Sequence, residues 1–466
     1  MAIIAKKEIK GFRIGVSCPG CGGELELEDN FFAVECHHCG SALRLIMPDA
    51  PPTFVAEVQI TKQKARYAID RYLKDAGKPL THSDYQLKRM YYPYWKVDAI
   101  LFRLRKGVEK KVVSSEYSDD NEKTYETEKI DISLSPYTTT LTAGMNYDGL
   151  PDTLGLRSEY LKLFPLSDEK IDENFDLLPI IKSWEEVRKS LHQHLGAISS
   201  FDTNLFGVNK TDIYGPKAML LYFPFFLFDF YDTDGFNRFV IDGVTGRVLN
   251  HITSLELAPS ETSETEKITL GEISIVSHRC SNCGEDLPSE ESLVYICKNC
   301  QVITDLEPGV EIDTIRQVVH PVNPNNILVP FWAFKIKDID ESVLKSIFGG
   351  IYRSDKVVIP AFRVQNYNAI FKLSKRMSAA FPQFDFENII TMDRQYAPVD
   401  LPLNEAQVLT EVFVTTDQYK KNITHKKTEN HFQFDDITLF YAPFHLESYF
   451  YVDSVLQAVT FEKNLI

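Results

Sequence analysis

No run of apolar residues in this 466-residue chain approaches the roughly 18 needed to cross a bilayer as a helix. The opening residues, MAIIAKKEIKGFRIG, also lack the apolar core of a secretory leader, which sets the expectation of a cytoplasmic protein without membrane insertion. The nearest candidate span, residues 218–228, contains Pro224 and is closed by Asp229, so it reads as a buried strand. Catalytic signatures are missing as well: there is no phosphate loop, dinucleotide-binding glycine motif, serine elbow or H-E-x-x-H helix. His192 and His194 stand two apart on a predicted helix, which points them to different faces and rules out a shared metal. An enzyme of unrecognised type is left as the second alternative to a binding role.

Positive charge is also in short supply. With 50 Lys and Arg against 66 Asp and Glu, the net charge of -16 repels polyphosphate. The basic runs that do occur, residues 102–111 and 420–427, read as solvated strand ends or loops. Nucleic-acid binding is the leading alternative, disfavoured by this charge, and a protein partner or self-assembly is the first expectation. Disorder is excluded by the 31 Phe and 22 Tyr, which demand burial in several packing units.

No cysteine is left over. All eight fall into four C-x2-C pairs: Cys18 with Cys21, Cys36 with Cys39, Cys280 with Cys283, and Cys297 with Cys300. Within each half the pairs are separated by 14 and 13 residues, which lets two tight knuckles meet and present four thiolates tetrahedrally to zinc. Disulfides would need an oxidising compartment, and a thioredoxin-type centre needs one pair rather than two. A rubredoxin-like iron site calls for a longer insert between knuckles. Two structural zinc ions per chain are therefore expected, each closed to water. Three knuckles end in Gly22, Gly40 and Gly284, where the chain must turn sharply, while the fourth carries Gln301, a weaker choice. His37 and His38 read as an exposed knuckle tip.

The ribbons head a longer repeat. After the first comes MYYPYWKVDAIL with Pro93 and Trp95; after the second comes ILVPFWAFKIK with Pro330 and Trp332. In both, alternate residues are apolar, as in a half-buried strand that its proline begins. A second aromatic strand follows in each half, around Pro224 and Phe226 and, in degenerate form, around Pro443. Its edges would suit partner-strand addition. A further match pairs residues 154–166 with 360–373. Helices are expected over 61–75, 183–198 and from Leu403. Asp229, Asp232 and Asp234 with Gly235 read as a hairpin turn rather than a calcium loop.

The expected fold class is α+β and β-rich: a tandem duplication of a four-cysteine zinc ribbon followed by an antiparallel-sheet domain with a few helices. The boundaries are ribbon 1 at 1–50, a first α+β domain at 51–250, a linker at 251–272, ribbon 2 at 273–308 and a shorter second domain at 309–466. The sequence resembles a group of largely uncharacterised bacterial double zinc-ribbon proteins with repeated Pro-aromatic-aromatic strands. That resemblance implies zinc and a prokaryotic cytoplasm, and no activity. The expected role is a non-enzymatic scaffold or adaptor.

Overall fold

The computed structural model describes residues 13–28, 33–46, 48, 50–77, 85–113, 123–155, 161–166, 171–199, 209–232, 235–254, 270–288, 292–305, 315–319, 325–337, 339, 341–348, 355–364, 366–388, 395–420 and 432–463. Ribbon 1 contributes β1 (Arg13–Ser17), β2 (Glu24–Glu28), β3 (Ala33–Glu35) and β4 (Ala42–Ile46). The first body holds β5 (Thr53–Ala56), α1 (Lys62–Asp75), β6 (Gln86–Val113), β7 (Lys123–Thr142), β8 (Lys162–Pro165), β9 (Asp176–Leu177), α2 (Trp184–Ser199), β10 (Asn209–Asp232), β11 (Gly235–Asp242) and β12 (Val248–Ile252). Ribbon 2 adds β13 (Ser274–Ser277), β14 (Val294–Ile296) and β15 (Ile303–Asp305). The second body holds β16 (Arg316–Val318), β17 (Ile327–Ile336), α3 (Glu341–Phe348), β18 (Lys356–Pro360), α4 (Tyr367–Ala380), β19 (Phe386–Asn388), β20 (Gln395–Tyr396), α5 (Leu403–Lys420), β21 (Phe434–Glu447), β22 (Phe450–Asp453) and β23 (Thr460–Glu462). The architecture is β-rich, with several antiparallel sheets and few helices.

The aromatic segments pair with each other at the centre of each body, β6 with β10 and β17 with β21, both antiparallel. Each central strand has two successive neighbours on its outer edge, first a short parallel one and then an antiparallel one. Along β6 these are β9 and β7, and along β10 they are β5 and β11. Along β17 they are β20 and β18, and along β21 they are β16 and β22. The proline of each segment lies at the change of neighbour: Pro93 between Tyr91 and Tyr94, Pro224 between Tyr222 and Phe225, Pro330 between Leu328 and Phe331, Pro443 between Tyr441 and Phe444. A ladder rung is skipped there, so a missing N–H is tolerated. The four carbonyls are used. They accept from the N–H groups of Ala143, Gly243, Ala361 and Ser454 at 3.0, 2.9, 3.0 and 2.9 Å. The expectation that proline begins its strand is thus corrected: it sits inside, where one edge partner hands over to the next. Both edges of β10 and of β21 are filled around Pro224 and Pro443, so neither offers the free edge that strand addition needs.

The tryptophans anchor the same point in both bodies. Trp95 and Trp332 are fully buried, and their indole N–H groups donate to Lys182 O and Leu401 O, each at 2.8 Å. Trp95 shares a core with Val97, as Trp332 does with Phe334 and Ile336. The opposite face, expected to be half exposed, is so in part: Ala333 has no accessible surface and Lys96 is 2% exposed, its ammonium held by Asp98, whereas the side chains of Asp98 and Lys335 are 37% and 40% exposed. Phe226 lies in the same core as Trp95 and packs against Phe175 at 5.1 Å, whereas its counterpart His445 lies on a hairpin with a partly exposed side chain.

The two halves are joined rather than strung on a linker. Residues 255–269 of the expected linker lie outside the described residues, but its first two residues end β12, and Gly271 N–H donates to Pro51 O at 3.0 Å. The strand β13 then pairs antiparallel with β4 of ribbon 1, from Ser274↔Ile46 to Ser277↔Leu43. Farther on, α5 packs against β10. At Gly215 the β10 backbone has φ +57°, and a Cβ there would come within 2.8 Å of Val408, so only glycine lets the helix approach. Glu405 bridges the halves, accepting from Lys217 of the first at 2.6 Å and Arg363 of the second at 2.9 Å. Burial pushes its pKa up, but the two cations outweigh that and hold it below the ordinary glutamate value. A depressed carboxylate stabilises the fold above its unfolded pKa and loses that contribution as pH falls through the lower folded value. Glu405→Gln is therefore expected to cost about 2 kcal/mol at pH 7, with the gap to wild type closing below about pH 4, read by urea unfolding at both pH values.

Helices α1, α2 and α5 fall within a residue or two of expectation, and residues 218–228 lie inside β10. The pairing of 154–166 with 360–373 is overturned: residues 162–165 form β8 against β5, whereas 367–380 form α4. Sequence reading missed α4, although Asn366 caps it by accepting from the N–H groups of Asn368 and Ala369. Asp229, expected in the hairpin turn, lies inside β10 and takes a bidentate pair from Arg238 of β11 at 2.7 and 2.6 Å, while Asp232 and Gly235 form the last pair before the turn. Asp234 and residues 421–427 lie outside the described residues, as do the side chains of His192 and His194.

Candidate metal centres

A C-x2-C knuckle closes a turn in which the fifth residue must take the left-handed conformation. Gly22, Gly40 and Gly284 do so at φ +74°, +73° and +76°, and Gln301 follows at +60°. Their N–H groups donate to the carbonyls of Cys18, Cys36, Cys280 and Cys297 at 2.8, 2.7, 2.9 and 2.8 Å. Glutamine thus accepts the glycine conformation at a cost of about 1 kcal/mol, and the fourth knuckle keeps the shape of the other three.

Each pair of knuckles converges. Sγ of Cys18 lies 3.8 Å from that of Cys39, and Cys21 lies 3.7 Å from Cys36. In the second ribbon, Cys280–Cys300 and Cys283–Cys297 are both 3.5 Å. Four sulfurs about 2.3 Å from a tetrahedral ion stand about 3.8 Å apart, so both sets are shaped to hold one metal ion each. All eight cysteines are free of disulfides. In each knuckle the first cysteine is buried, and Cys21, Cys39 and Cys283 are exposed with Cys300 half-buried, so the ions would sit near the surface with every sulfur committed. His37 and His38 are exposed and outside the ligand set.

The thiols share protons unevenly. Hydrogen bonds from the Ser41 hydroxyl and backbone bring Cys39 down to about 6, and the Asn282 side chain with the Val302 N–H does the same for Cys300, also to about 6. Against them, Cys21 rises to about 12 and Cys283 to about 11; an N–H from Gly23 or Glu285 lowers each, but desolvation and the neighbouring sulfurs prevail. Metal binding at neutral pH must therefore displace protons.

One polar arrangement escaped sequence reading. His445 Nδ1 lies 3.1 Å from Ser454 Oγ, and its Nε2 lies 3.2 Å from Glu447 Oε1. The row has the order of a hydrolytic triad, but it lies on a hairpin with the Glu447 side chain 68% exposed. The N–H groups that could stabilise an oxyanion are spent: Leu456, Gln457, Ala458 and Val459 donate to Asp453, and Ser454 donates to Pro443 O. The corresponding positions on the β10–β11 hairpin are Phe226, Phe228 and Gly243, and α1 covers that face by setting Tyr72 against Phe239 at 5.6 Å. Residues 319–326 separate β16 from β17, whereas 57–85, with α1, separate β5 from β6.

In comparisons with family models, curated proteins and solved structures, nothing matched this chain. No helix among the described residues is long and apolar enough to cross a membrane.

Proposed function

We propose that the chain is a non-enzymatic scaffold or adaptor, built by tandem duplication and stabilised by two structural zinc ions, that mediates protein–protein interaction or self-assembly in a prokaryotic cytoplasm. Zinc is favoured over softer or redox metals because four thiolates at tetrahedral spacing suit it and leave no position for substrate. The observation that carries the scaffold reading is a pair of exposed aromatic hairpin tips on one joined body: Tyr231 is 74% exposed at the first, while Tyr449, Phe450 and Leu446 are 79%, 48% and 44% exposed at the second. Aromatic side chains held rigidly at an exposed tip offer large contact area at low entropic cost. Nucleic-acid binding is the reading that the net charge of -16 supports less.

The test is size-exclusion light scattering combined with capture from native extract, with and without nuclease, on wild type and a Tyr449→Glu/Phe450→Glu variant. A homo-oligomer or a nuclease-resistant protein partner that the variant loses supports the reading. Recovery of nucleic acid that nuclease abolishes, or binding indifferent to both substitutions, overturns it.

A further inference from the structure

The two ribbons do not fold in the same way. In ribbon 1 both knuckles ride on hairpins of their own, β1–β2 and β3–β4. In ribbon 2 only the Cys297 knuckle does, on β14–β15. The strand leading into Cys280, β13, finds its partner in β4 of the other ribbon over four residue pairs; within its own ribbon the described residues supply the isolated bridge Arg279↔Asp286 and the bonds from Cys280 N–H to Glu285 O at 2.8 Å and from Leu287 N–H to His278 O at 3.0 Å.

The connection between the two centres is short. Ala42 stands three residues after the ligand Cys39, and its carbonyl accepts from His278 N–H at 2.8 Å, two residues before the ligand Cys280. The His278 ring is 1% exposed and meets the Tyr295 ring edge-on at 4.4 Å, and Tyr295 stands two residues before Cys297. One side chain therefore joins the borrowed strand to the second knuckle of its own ribbon. Ribbon 2 is held from two sides: its own core is only Cys280, Leu287, Tyr295 and Cys297, Leu293 and Val294 of the Cys297 hairpin pack into the core of the second body, and Ile273 and Ile275 at its entrance pack into the core that contains Cys18, Cys36, Leu43 and Leu45.

We infer that the two metal centres are one coupled unit, in which metal at the Cys18–Cys39 set orders β4 and thereby presents Cys280 and Cys283 for the second ion. The inference rests on the reading of both sets as metal sites. By linkage the coupling is reciprocal: the second ion tightens the first by the same factor. Two ions held by separate ribbons, each with a complete pair of hairpins, would load independently; here half of the second site is built on the strand of the first. Metal loading thus also decides whether the halves are locked together at the ribbon end.

The experiment is a cobalt titration of full-length metal-free protein, followed by its thiolate-to-metal and visible absorption bands and checked by total metal content. Wild type is expected to take two ions in one cooperative step. Cys39→Ser is expected to bind at the second set about tenfold more weakly. Val276→Pro, which keeps all eight cysteines but breaks the β4–β13 ladder, is expected to bind two ions in independent steps. Two ions in wild type with unchanged affinity in Cys39→Ser, or a cooperative step that survives Val276→Pro, overturns the coupling while leaving the metal sites standing. Fewer than two ions in wild type overturns the metal reading itself.

Discussion

Trp332→Ala is expected to lower the unfolding free energy by about 4 kcal/mol, the range for removing a large aromatic side chain from a closed core. The side chain has no accessible surface and packs with Phe334, Ile359, Leu401 and Tyr441 on one face of the β17–β21 pair. Its indole N–H also satisfies Leu401 O, so truncation leaves both a cavity and a buried carbonyl without its donor. Trp332→Phe separates the two: it keeps much of the volume, loses the hydrogen bond and is expected to cost about 1–2 kcal/mol. The same pair of substitutions at Trp95, whose indole donates to Lys182 O, should show the same ordering. Urea unfolding followed by circular dichroism reads all four; equal costs for the Ala and Phe variants would contradict the packing account.

The second large effect is metal loss. Cys18→Ser is expected to reduce bound metal from two ions and to expose ribbon 1 to protease, because structural metal binding supplies folding free energy of about 10 kcal/mol or more. Unchanged metal content with unchanged protease resistance would contradict the site. The pH dependence has a definite sign. Protons compete for the thiolates, so affinity falls as pH falls and falls more steeply below about 6, where Cys39 and Cys300 also become protonated. A metal-specific indicator dye, titrated from pH 8 to pH 5, should register release on the acid side only.

Much of the metal chemistry was legible without a structure. Cys-x2-Cys pairs with a glycine after them specify a local turn, and the turn depends on residues within five positions of each other. The paired strands were legible for a similar reason, since alternation marks the segments at Pro93 and Pro330, an apolar run marks the one at Pro224, and Pro443 carries a degenerate copy. The role of those prolines was not, because it depends on which strand lies alongside and where that strand ends. Lys96 shows the same limit. Alternation placed it on a half-exposed face, yet it is 2% exposed, and its ladder neighbours Thr140 and Met219 come from β7 and β10, whose pairing is non-local.

By itself, the sequence determined the eight cysteines of the candidate metal sites, their grouping into two sets of four, the two families of aromatic strands and three of the five described helices. These follow from short-range rules: thiolate spacing, backbone conformations that favour glycine, and the periods of strand and helix. The tertiary structure alone decided that β13 pairs with β4, that α5 lies against Gly215, and that Glu405 takes cations from both halves. Each of these joins residues far apart in the chain, and every strand carries the same ladder of donors and acceptors. The partner is selected by the shapes of the packed faces and by which edges remain open once the local elements have formed.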